Sequence, residues 1–329
     1  MLSRKMLLLP ALLLLLCPGP NHAQAAEVVL YSSNQPELID LVAKGFEKKS
    51  GITVTSVRLG TGEAMKRIAA EKANPLADIF WSGDVAVLDA AKDNFTPYDS
   101  PEVGKIPGFP AEFRDKDKIW TASNTHLMIL MANSKLLKPE DMPKSWADIL
   151  TPRWKDKIVM ADPAKSGSAY AQLYGIYKLY GWDGLAKLVE NVRIVDSSSL
   201  VYKGTAEGEF PLSITMEYAA YRYVAGGSDA VKIIYPSDGA ISAPEGLALV
   251  KDGKHPAEAK AFFDYLISRD VVSDIYKKYY RRPARPDADE VPGLPSLSSL
   301  AVVTVRADEA NLEQKQLLGK WRELVLSRK

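Results

Sequence analysis

Short polar or glycine-rich runs follow three predicted strands in the first third of this sequence. They lie at residues 32–34, 60–62 and 82–84, and each precedes a pattern typical of a helix start. Because the carboxyl ends of parallel strands meet at one edge of a sheet, we expect the three loops to lie together. Backbone N–H groups at helix N-termini favour anions, and hydroxyl side chains add donors. This edge is therefore predicted to capture a small anion.

The middle of the chain repeats the pattern. Serine-rich helix starts occur at residues 166–168 and 197–199, and a predicted strand at 212–215 delivers Glu217 and Tyr218 at its end. Glu245 follows a proline in another polar turn. These carboxylates also have simpler interpretations, since Glu217 could cap its strand and Glu245 could be a turn residue. Asp84, likewise, could only begin its helix, where a carboxylate is favourable.

Patterns for covalent or metal-dependent catalysis are missing from the sequence. The serines at 166–168 lack the flanking glycines of a nucleophile elbow, and there is no His-Glu-x-x-His. The three histidines are His22, His126 and His255, and His126 lies in an apolar run that suggests a structural role. With a single cysteine, Cys17, neither a disulfide scaffold nor a thiolate cluster can form within the chain. We therefore do not expect an enzyme.

Length and composition favour a globular protein of about two domains. The 329 residues are 47% hydrophobic and 25% charged, and 42 basic against 41 acidic residues give a net charge of +1. A nucleic-acid footprint would be strongly basic, so no nucleic-acid partner is expected. The basic and aromatic stretch at 277–282 is interpreted as a solvated helix end. Trp81, Trp146 and Trp154 are expected in the core or the hinge.

The first 25 residues have the pattern of a secretory signal peptide. A basic start at Arg4 and Lys5 precedes an apolar run at 6–17 and small residues at 23–25. Leu16 stands where a lipoprotein would have a small residue before Cys17. Export to the periplasm is therefore predicted. Cleavage would leave no cysteine and a net charge of 40 − 41 = −1.

Beyond residue 25, strand and helix patterns alternate, which favours an α/β fold with helices on both sheet faces. A strand at 125–133 could cross between two lobes, and strands at 232–235 and 246–250 could return to the first. The other predicted strands are 28–31, 52–57, 79–81, 158–160, 192–195 and 212–215. The longer predicted helices are 169–180, 184–191, 256–268 and one within 311–327.

The order of several weak motifs resembles bacterial extracellular solute-binding proteins, most nearly the ferric-iron-binding type of ABC importers. These motifs are LYS at 30–32, FEKKSGI at 46–52, ADI at 77–79, SWAD at 145–148, PRW at 152–154, SG at 166–167, AEGE at 206–209 and the helix at 256–266. The resemblance implies a two-lobe periplasmic-binding-protein fold, type II-like, that closes over its ligand and delivers it to a permease in the inner membrane. It also implies a monomer. We expect the signal peptide at 1–25, lobe 1 at 26–122 plus 241–289, and lobe 2 at 123–240 plus 290–329.

For iron, the resemblance implies two adjacent tyrosines, often with a histidine and a glutamate. Only Tyr218 matches the tyrosine pair, and residues 32–35 contain no histidine. Asp84 lies one position from where the glutamate is expected. Iron, held by Glu217, Tyr218 and Tyr221 with an anion, therefore stays an alternative. No other metal or cofactor is expected.

For an anion, the resemblance implies a cradle at Ser166, Gly167 and Ser168 with a further contact at Ser198. Hydroxyls and helix N-termini suit a phosphate or phosphonate group. We therefore favour a small phosphorylated or phosphonate-bearing organic ligand, with carboxylates accepting from its hydroxyl or ammonium groups. A sensor for a membrane receptor is a third alternative. The predicted ligand-binding residues are Ser32, Ser33, Asn34, Thr61, Gly62, Ser82, Asp84, Ser166, Gly167, Ser168, Ser198, Glu217, Tyr218 and Glu245.

Overall fold

The computed structural model describes residues 26–289, 291 and 293–328, so the expected signal peptide lies outside the described residues. The strands are β1 (Glu27–Ser32), β2 (Thr53–Arg58), β3 (Ile79–Asp84), β4 (Phe95–Thr96), β5 (Thr121–Asn133), β6 (Ile158–Ala161), β7 (Val192–Val195), β8 (Leu212–Met216), β9 (Val231–Ile234), β10 (Ala240–Val250), β11 (Arg282–Pro283) and β12 (Val302–Thr304). The helices are α1 (Pro36–Ser50), α2 (Thr61–Ala70), α3 (Val85–Ala90), α4 (Pro101–Gly104), α5 (Trp146–Ile149), α6 (Gly167–Asn191), α7 (Ser198–Glu207), α8 (Glu217–Ala225), α9 (Pro256–Ile267), α10 (Arg269–Tyr279) and α11 (Ala307–Ser327).

One sheet runs through the molecule in the order β2-β1-β3-β10-β5-β8-β6-β7. At one end β1 pairs in parallel with β2 and β3, and at the other β6 pairs in parallel with β7 and β8. Between these ends, β10 and β5 are antiparallel to each other and to their outer neighbours, β3 and β8. The two central strands therefore join two parallel α/β units.

The central strands contribute to separate cores on either side. In β10, Ile241 and Ala243 pack in a core built mainly from residues 127–234, together with Trp321 of α11. Further along the same strand, Leu247 and Leu249 pack with residues 28–103 and with helices α9 and α10. The fold therefore has two lobes connected through continuous strands, as the sequence predicted.

Helix α6 shows how local sequence positions the site. The Ser166 side chain accepts a hydrogen bond from the Ala169 N–H and begins the helix. The predicted helices at 169–180 and 184–191 are the two helical parts of α6, which meet at a kink at Gly181, where φ is +60° and the backbone is not helical. Glycine adopts this conformation without the strain that a side chain would add. The helix N-terminus is thereby fixed at the edge of β6.

Two local sequence interpretations are wrong, and a third holds only in part. Glu217 begins α8 rather than ending a strand, and Glu245 lies within an 11-residue strand rather than a turn. The stretch at 277–282 is a solvated helix end only at Lys277 and Lys278, because Arg281 and Arg282 are 3% and 6% exposed. Long-range ion pairs explain why these charged residues are internal. The three tryptophans Trp81, Trp146 and Trp154 are buried, which confirms the expectation for them.

Within the described residues, no helix is both long enough and apolar enough to cross a membrane.

Candidate functional site

A cleft of about 260 Å³ lies between the two lobes. It is bordered by the loops after β1, β2 and β3 on one side and by the starts of α6 and α7 on the other. Nine of the predicted ligand-binding residues line it: Ser33, Thr61, Ser82, Asp84, Ser166, Ser168, Ser198, Tyr218 and Glu245.

Three serine hydroxyls form a compact cluster on the lobe 2 side. The Oγ atoms of Ser166 and Ser168 are 3.0 Å apart, and those of Ser166 and Ser198 are 2.8 Å apart. Ser168 and Ser198 complete the triangle at 2.9 Å. This three-serine cluster lies where α6 and α7 begin, so hydroxyl donors and two helix N-termini coincide. Such an arrangement is suited to an anion.

Lobe 1 contributes hydroxyls of its own. Thr61 Oγ1 lies 3.3 Å from Ser33 Oγ, and the Ser33 hydroxyl donates to the carbonyl oxygen of Ser82. Ser82 has a φ of +80°, an uncommon backbone conformation for a residue with a side chain. Its hydroxyl donates to Glu245. The strained residue Ser82 thus links the hydroxyls of Ser33 and Thr61 to the carboxylate of Glu245.

Glu245 is the centre of a buried polar cluster. Its Oε2 accepts from Asn124 Nδ2 at 2.6 Å and Arg281 NH1 at 2.5 Å, and lies 2.6 Å from His126 Nε2. Oε1 accepts from Ser82. Burial would raise the pKa of Glu245, but His126 and Arg281 hold it well below its usual range. The side chain is therefore a carboxylate whose two oxygens already have partners.

Tyr218 faces the same cluster. Its hydroxyl accepts from Arg281 NH2 at 3.2 Å, and the Arg281 guanidinium lies over the ring, 4.2 Å from the centroid. The His126 ring lies 5.1 Å from the Tyr218 ring. Burial raises the pKa of Tyr218. The phenol consequently keeps its proton and can donate it to a ligand.

Asp84 is the strand partner of Glu245 where β3 pairs with β10. A Cβ placed on Gly167 would lie 3.1 Å from the Asp84 Cβ, so Asp84 lies beside the three-serine cluster. Burial raises the pKa of Asp84 to about 7, aided by the charge of Glu245 and opposed by a hydrogen bond from Ala86 N–H. Asp84 is therefore poised to be neutral when an anion binds next to it.

Direct contacts between the lobes show that the cleft is closed. Gln35 Nε2 donates to the Tyr202 hydroxyl at 3.1 Å, and Arg222 NH1 donates to Gln35 Oε1 at 2.6 Å. Gly62 N lies 3.4 Å from the carbonyl oxygen of Lys165. A side chain at Gly62 would collide with lobe 2, since its Cβ would lie 2.5 Å from the carbonyl oxygen of Ala164.

Five predicted ligand-binding residues lie outside the lining of the cleft. Ser32 and Asn34 are fully buried, and the Ser32 hydroxyl accepts from the Asn34 N–H. Gly62 and Gly167 lie at the contact between lobes, where their lack of a side chain permits close approach. Glu217 is the fifth.

Glu217 belongs to a separate buried ion pair. Its carboxylate accepts from Arg282 Nε at 2.6 Å and Arg282 NH2 at 2.9 Å, and also from the Tyr235 hydroxyl at 2.7 Å. Arg282 also donates to the carbonyl oxygen of Pro295. These contacts engage Glu217 away from the cleft, so its sequence-based assignment as a ligand contact does not fit its position.

The iron set suggested by sequence is not assembled around one point. Tyr218 lines the cleft, whereas Glu217 and Tyr221 do not. Arg281 donates a hydrogen bond to the Tyr218 hydroxyl, and its fixed positive charge beside that oxygen disfavours binding of Fe(III). Among the described residues, no group of three or more His, Cys, Asp or Glu side chains could hold a metal ion.

The cleft residues that sequence reasoning missed include Arg281 and His126, which both contact Glu245. Arg281 follows α10 and His126 lies in the middle of β5, so neither carries a local signal of a binding loop. The basic and aromatic stretch at 277–282 includes Arg281, but this local pattern predicts a solvated helix end rather than a binding residue. The lining residues not predicted are Gln35, Arg58, Leu59, Gly60, Glu63, His126, Lys165, Asp196, Ser197, Ser199, Tyr202, Met216 and Arg281.

Two lobes that close over a cleft lined with hydroxyls and helix N-termini define the class of solute-binding proteins. The chain belongs to the bacterial extracellular solute-binding protein family, which it matches over residues 74–307.

Relatives of this chain are named for two kinds of ligand. A putative 2-aminoethylphosphonate-binding periplasmic protein of Salmonella typhimurium is 24% identical over 262 residues, covering 74% of this chain and 72% of the relative. An Fe(3+)-binding periplasmic protein of Serratia marcescens is 24% identical over 272 residues, covering 78% of each chain. The periplasmic binding protein AfuA from Actinobacillus pleuropneumoniae, solved with fructose-6-phosphate, has a TM-score of 0.86 at 24% identity, covering 92% of this chain and 99% of that one.

Proposed function

We propose that this chain is the periplasmic solute-binding component of an ABC importer for a small organic phosphate or phosphonate. The observation that carries the proposal is the three-serine cluster at the starts of α6 and α7. Three hydroxyls within 3.0 Å of one another, beside two helix N-termini, can donate to the oxygens of one tetrahedral anion. The names of two of the similar proteins support the same ligand class.

Capture proceeds by closure of the lobes. Ser33 and Thr61 approach the ligand from lobe 1, while Ser166, Ser168 and Ser198 hold the anion from lobe 2. A ligand that contacts both sides favours the closed form over the open one. The closed form then presents the surface that a permease in the inner membrane recognises.

Calorimetry on ligand-stripped protein tests the ligand class. The panel holds inorganic phosphate, fructose 6-phosphate, 2-aminoethylphosphonate, ferric citrate and spermidine. We expect binding of the organic phosphorus compounds, and the Ser166→Ala/Ser168→Ala variant should lose at least tenfold in affinity, about 1.4 kcal/mol.

The matched control is Ser296→Ala/Ser298→Ala. These two serines have the same spacing, and their hydroxyls are 3.1 Å apart on the exposed surface. The control should bind as the wild type does. Binding of ferric citrate alone, or full affinity in the Ser166→Ala/Ser168→Ala variant, would refute the proposal.

A further inference from the structure

Beyond the three-serine cluster, the cleft contains a second group of polar side chains around Glu245. Oε2 of Glu245 accepts from Asn124 and Arg281, whereas Oε1 accepts from Ser82 alone. Oε1 keeps a second lone pair, but Oε2 is committed to its buried partners. Glu245 therefore holds Arg281 through Oε2.

Arg281 has unused donor capacity. NH1 donates to Glu245 and NH2 donates to Tyr218, but Nε has no partner in the part of the chain that the structure describes. The residue lines the cleft and is only 3% exposed. Buried guanidinium donors are normally paired, so this orphan indicates a partner that arrives with the ligand.

The neighbouring residue shows what the open edge of Arg281 can bind. Arg282 uses Nε and NH2 together to grip the Glu217 carboxylate, at 2.6 and 2.9 Å. This two-pronged contact matches the guanidinium fork to two oxygens. In Arg281 the same edge has an unpaired Nε, and NH2 has only the long contact to Tyr218.

Tyr218 adds a second donor to this region. Its hydroxyl accepts from Arg281, which leaves its own O–H available to donate to an acceptor. Arg281 therefore offers donors only, and Tyr218 adds one donor beside them. A ligand group that is rich in acceptor oxygens satisfies them, whereas a terminal ammonium leaves them unpaired next to a fixed positive charge.

Other carboxylates of the cleft do not change this balance. Asp84 lies beside Gly167 and therefore beside the three-serine cluster. Glu63 and Asp196 are exposed at the rim, and Asp196 is paired with Lys165. Asp84 is also the strand partner of Glu245, but burial raises its pKa to about 7, so it offers an ammonium group near Arg281 less negative charge than an ordinary carboxylate would.

We propose that Arg281 and Tyr218 form a second subsite that recognises an acceptor oxygen of the ligand, with a carboxylate as the best match, while Glu245 and His126 position Arg281. This inference rests on the proposed function, since it concerns the part of the ligand that is not held by the three-serine cluster. With this subsite, the protein should prefer ligands of this class that end in a carboxylate over those that end in an amine.

Two matched pairs of probes test the subsite by calorimetry. Phosphonoacetate and 2-aminoethylphosphonate share a phosphonate and a two-carbon chain, and phosphoglycolate and O-phosphoethanolamine share a phosphate and a two-carbon chain. Within at least one pair, the wild type should bind the carboxylate at least tenfold more tightly. Preference for the amine in either pair, or equal affinity within every pair that binds, would overturn the proposal.

Variants assign the preference to the subsite. Arg281→Met/Glu245→Gln removes both charges and should abolish it, and Tyr218→Phe should reduce it at least threefold. The matched control is Arg282→Met/Glu217→Gln, which removes an equally buried pair outside the cleft lining and should keep the preference.

Thermal unfolding checks that each variant is folded. If Arg281→Met/Glu245→Gln does not fold, the result for Tyr218→Phe decides the test. An unchanged preference in the folded Arg281→Met/Glu245→Gln variant contradicts the subsite. If that variant does not fold, an unchanged preference in Tyr218→Phe contradicts it. Failure of the wild type to bind any phosphorus compound, inorganic phosphate and sugar phosphates included, overturns the proposed function and the subsite together. Binding of sugar phosphates or inorganic phosphate but of none of the four probes overturns the subsite alone.

Discussion

Gly62 lies where the lobes meet, so adding one methyl group there tests whether closure is needed for binding. In Gly62→Ala the new Cβ would lie 2.5 Å from the carbonyl oxygen of Ala164 and 3.5 Å from the Lys165 Cα. These atoms belong to the backbone of the opposite lobe and cannot rotate away. The closed form must therefore open slightly, whereas the open form has no such contact.

Overpacking of this kind costs about 1–3 kcal/mol. If the whole cost falls on the closed form, ligand affinity should drop roughly 5- to 150-fold. The unliganded protein should melt no lower than the wild type, because alanine is the better helix former and Gly62 lies in α2. The variant thus separates affinity from stability.

Calorimetry gives the affinity, and small-angle X-ray scattering gives the contraction on ligand binding. Gly319→Ala is the control, because a Cβ there has no atom within 4 Å. The control should bind with wild-type affinity. Wild-type affinity and full contraction in Gly62→Ala would refute the reasoning that these two backbones must touch when ligand is held.

Two further predictions concern buried charges. Burial raises the folded-state pKa of Asp84 to about 7, so the stability that its protonated form contributes is lost as pH rises through that value. Without ligand, raising the pH from about 4 to about 7 should therefore lower the stability of the wild type relative to that of Asp84→Asn. If the melting temperatures of the two proteins change in parallel with pH, this prediction is contradicted. Glu217→Gln breaks the buried pair with Arg282 and should lower the free energy of unfolding by about 3–5 kcal/mol in denaturant titrations, with affinity within twofold of wild type. A tenfold loss of affinity at unchanged stability would instead place Glu217 at the ligand.

The parts of the site that sequence predicted are those encoded locally. Ser166 and Ser168 stand at a helix start, and the helix-capping pattern that predicts the start also places their hydroxyls at its N-terminus. The same holds for Asp84 and Thr61. The alternation of strands and helices likewise sufficed for the α/β class, whereas the two-lobe fold was implied by the resemblance to solute-binding proteins.

The parts that sequence missed depend on contacts between distant residues. The sequence places Glu217 and Glu245 alike, as carboxylates near the ends of predicted strands, and their long-range partners distinguish them. Those partners are the consecutive residues Arg282 and Arg281, 65 and 36 positions away. No periodicity in the chain indicates which arginine faces the cleft and which faces the interior of the other lobe.

The pairing irregularities around Glu245 affect how the molecule bends. The register of β10 shifts against β5 between Glu245 and Gly246, and against β3 between Gly246 and Leu247. Ser123 and Ser82 are the residues left without a partner in those ladders. An extra residue in one strand disrupts the ladder locally, bends that strand and increases its twist, so these shifts mark a bend in the strands that join the lobes. The strands that join the lobes are therefore irregular at the same residues that hold Arg281, so bending between the lobes and the fit of a solute at Arg281 involve one stretch of backbone.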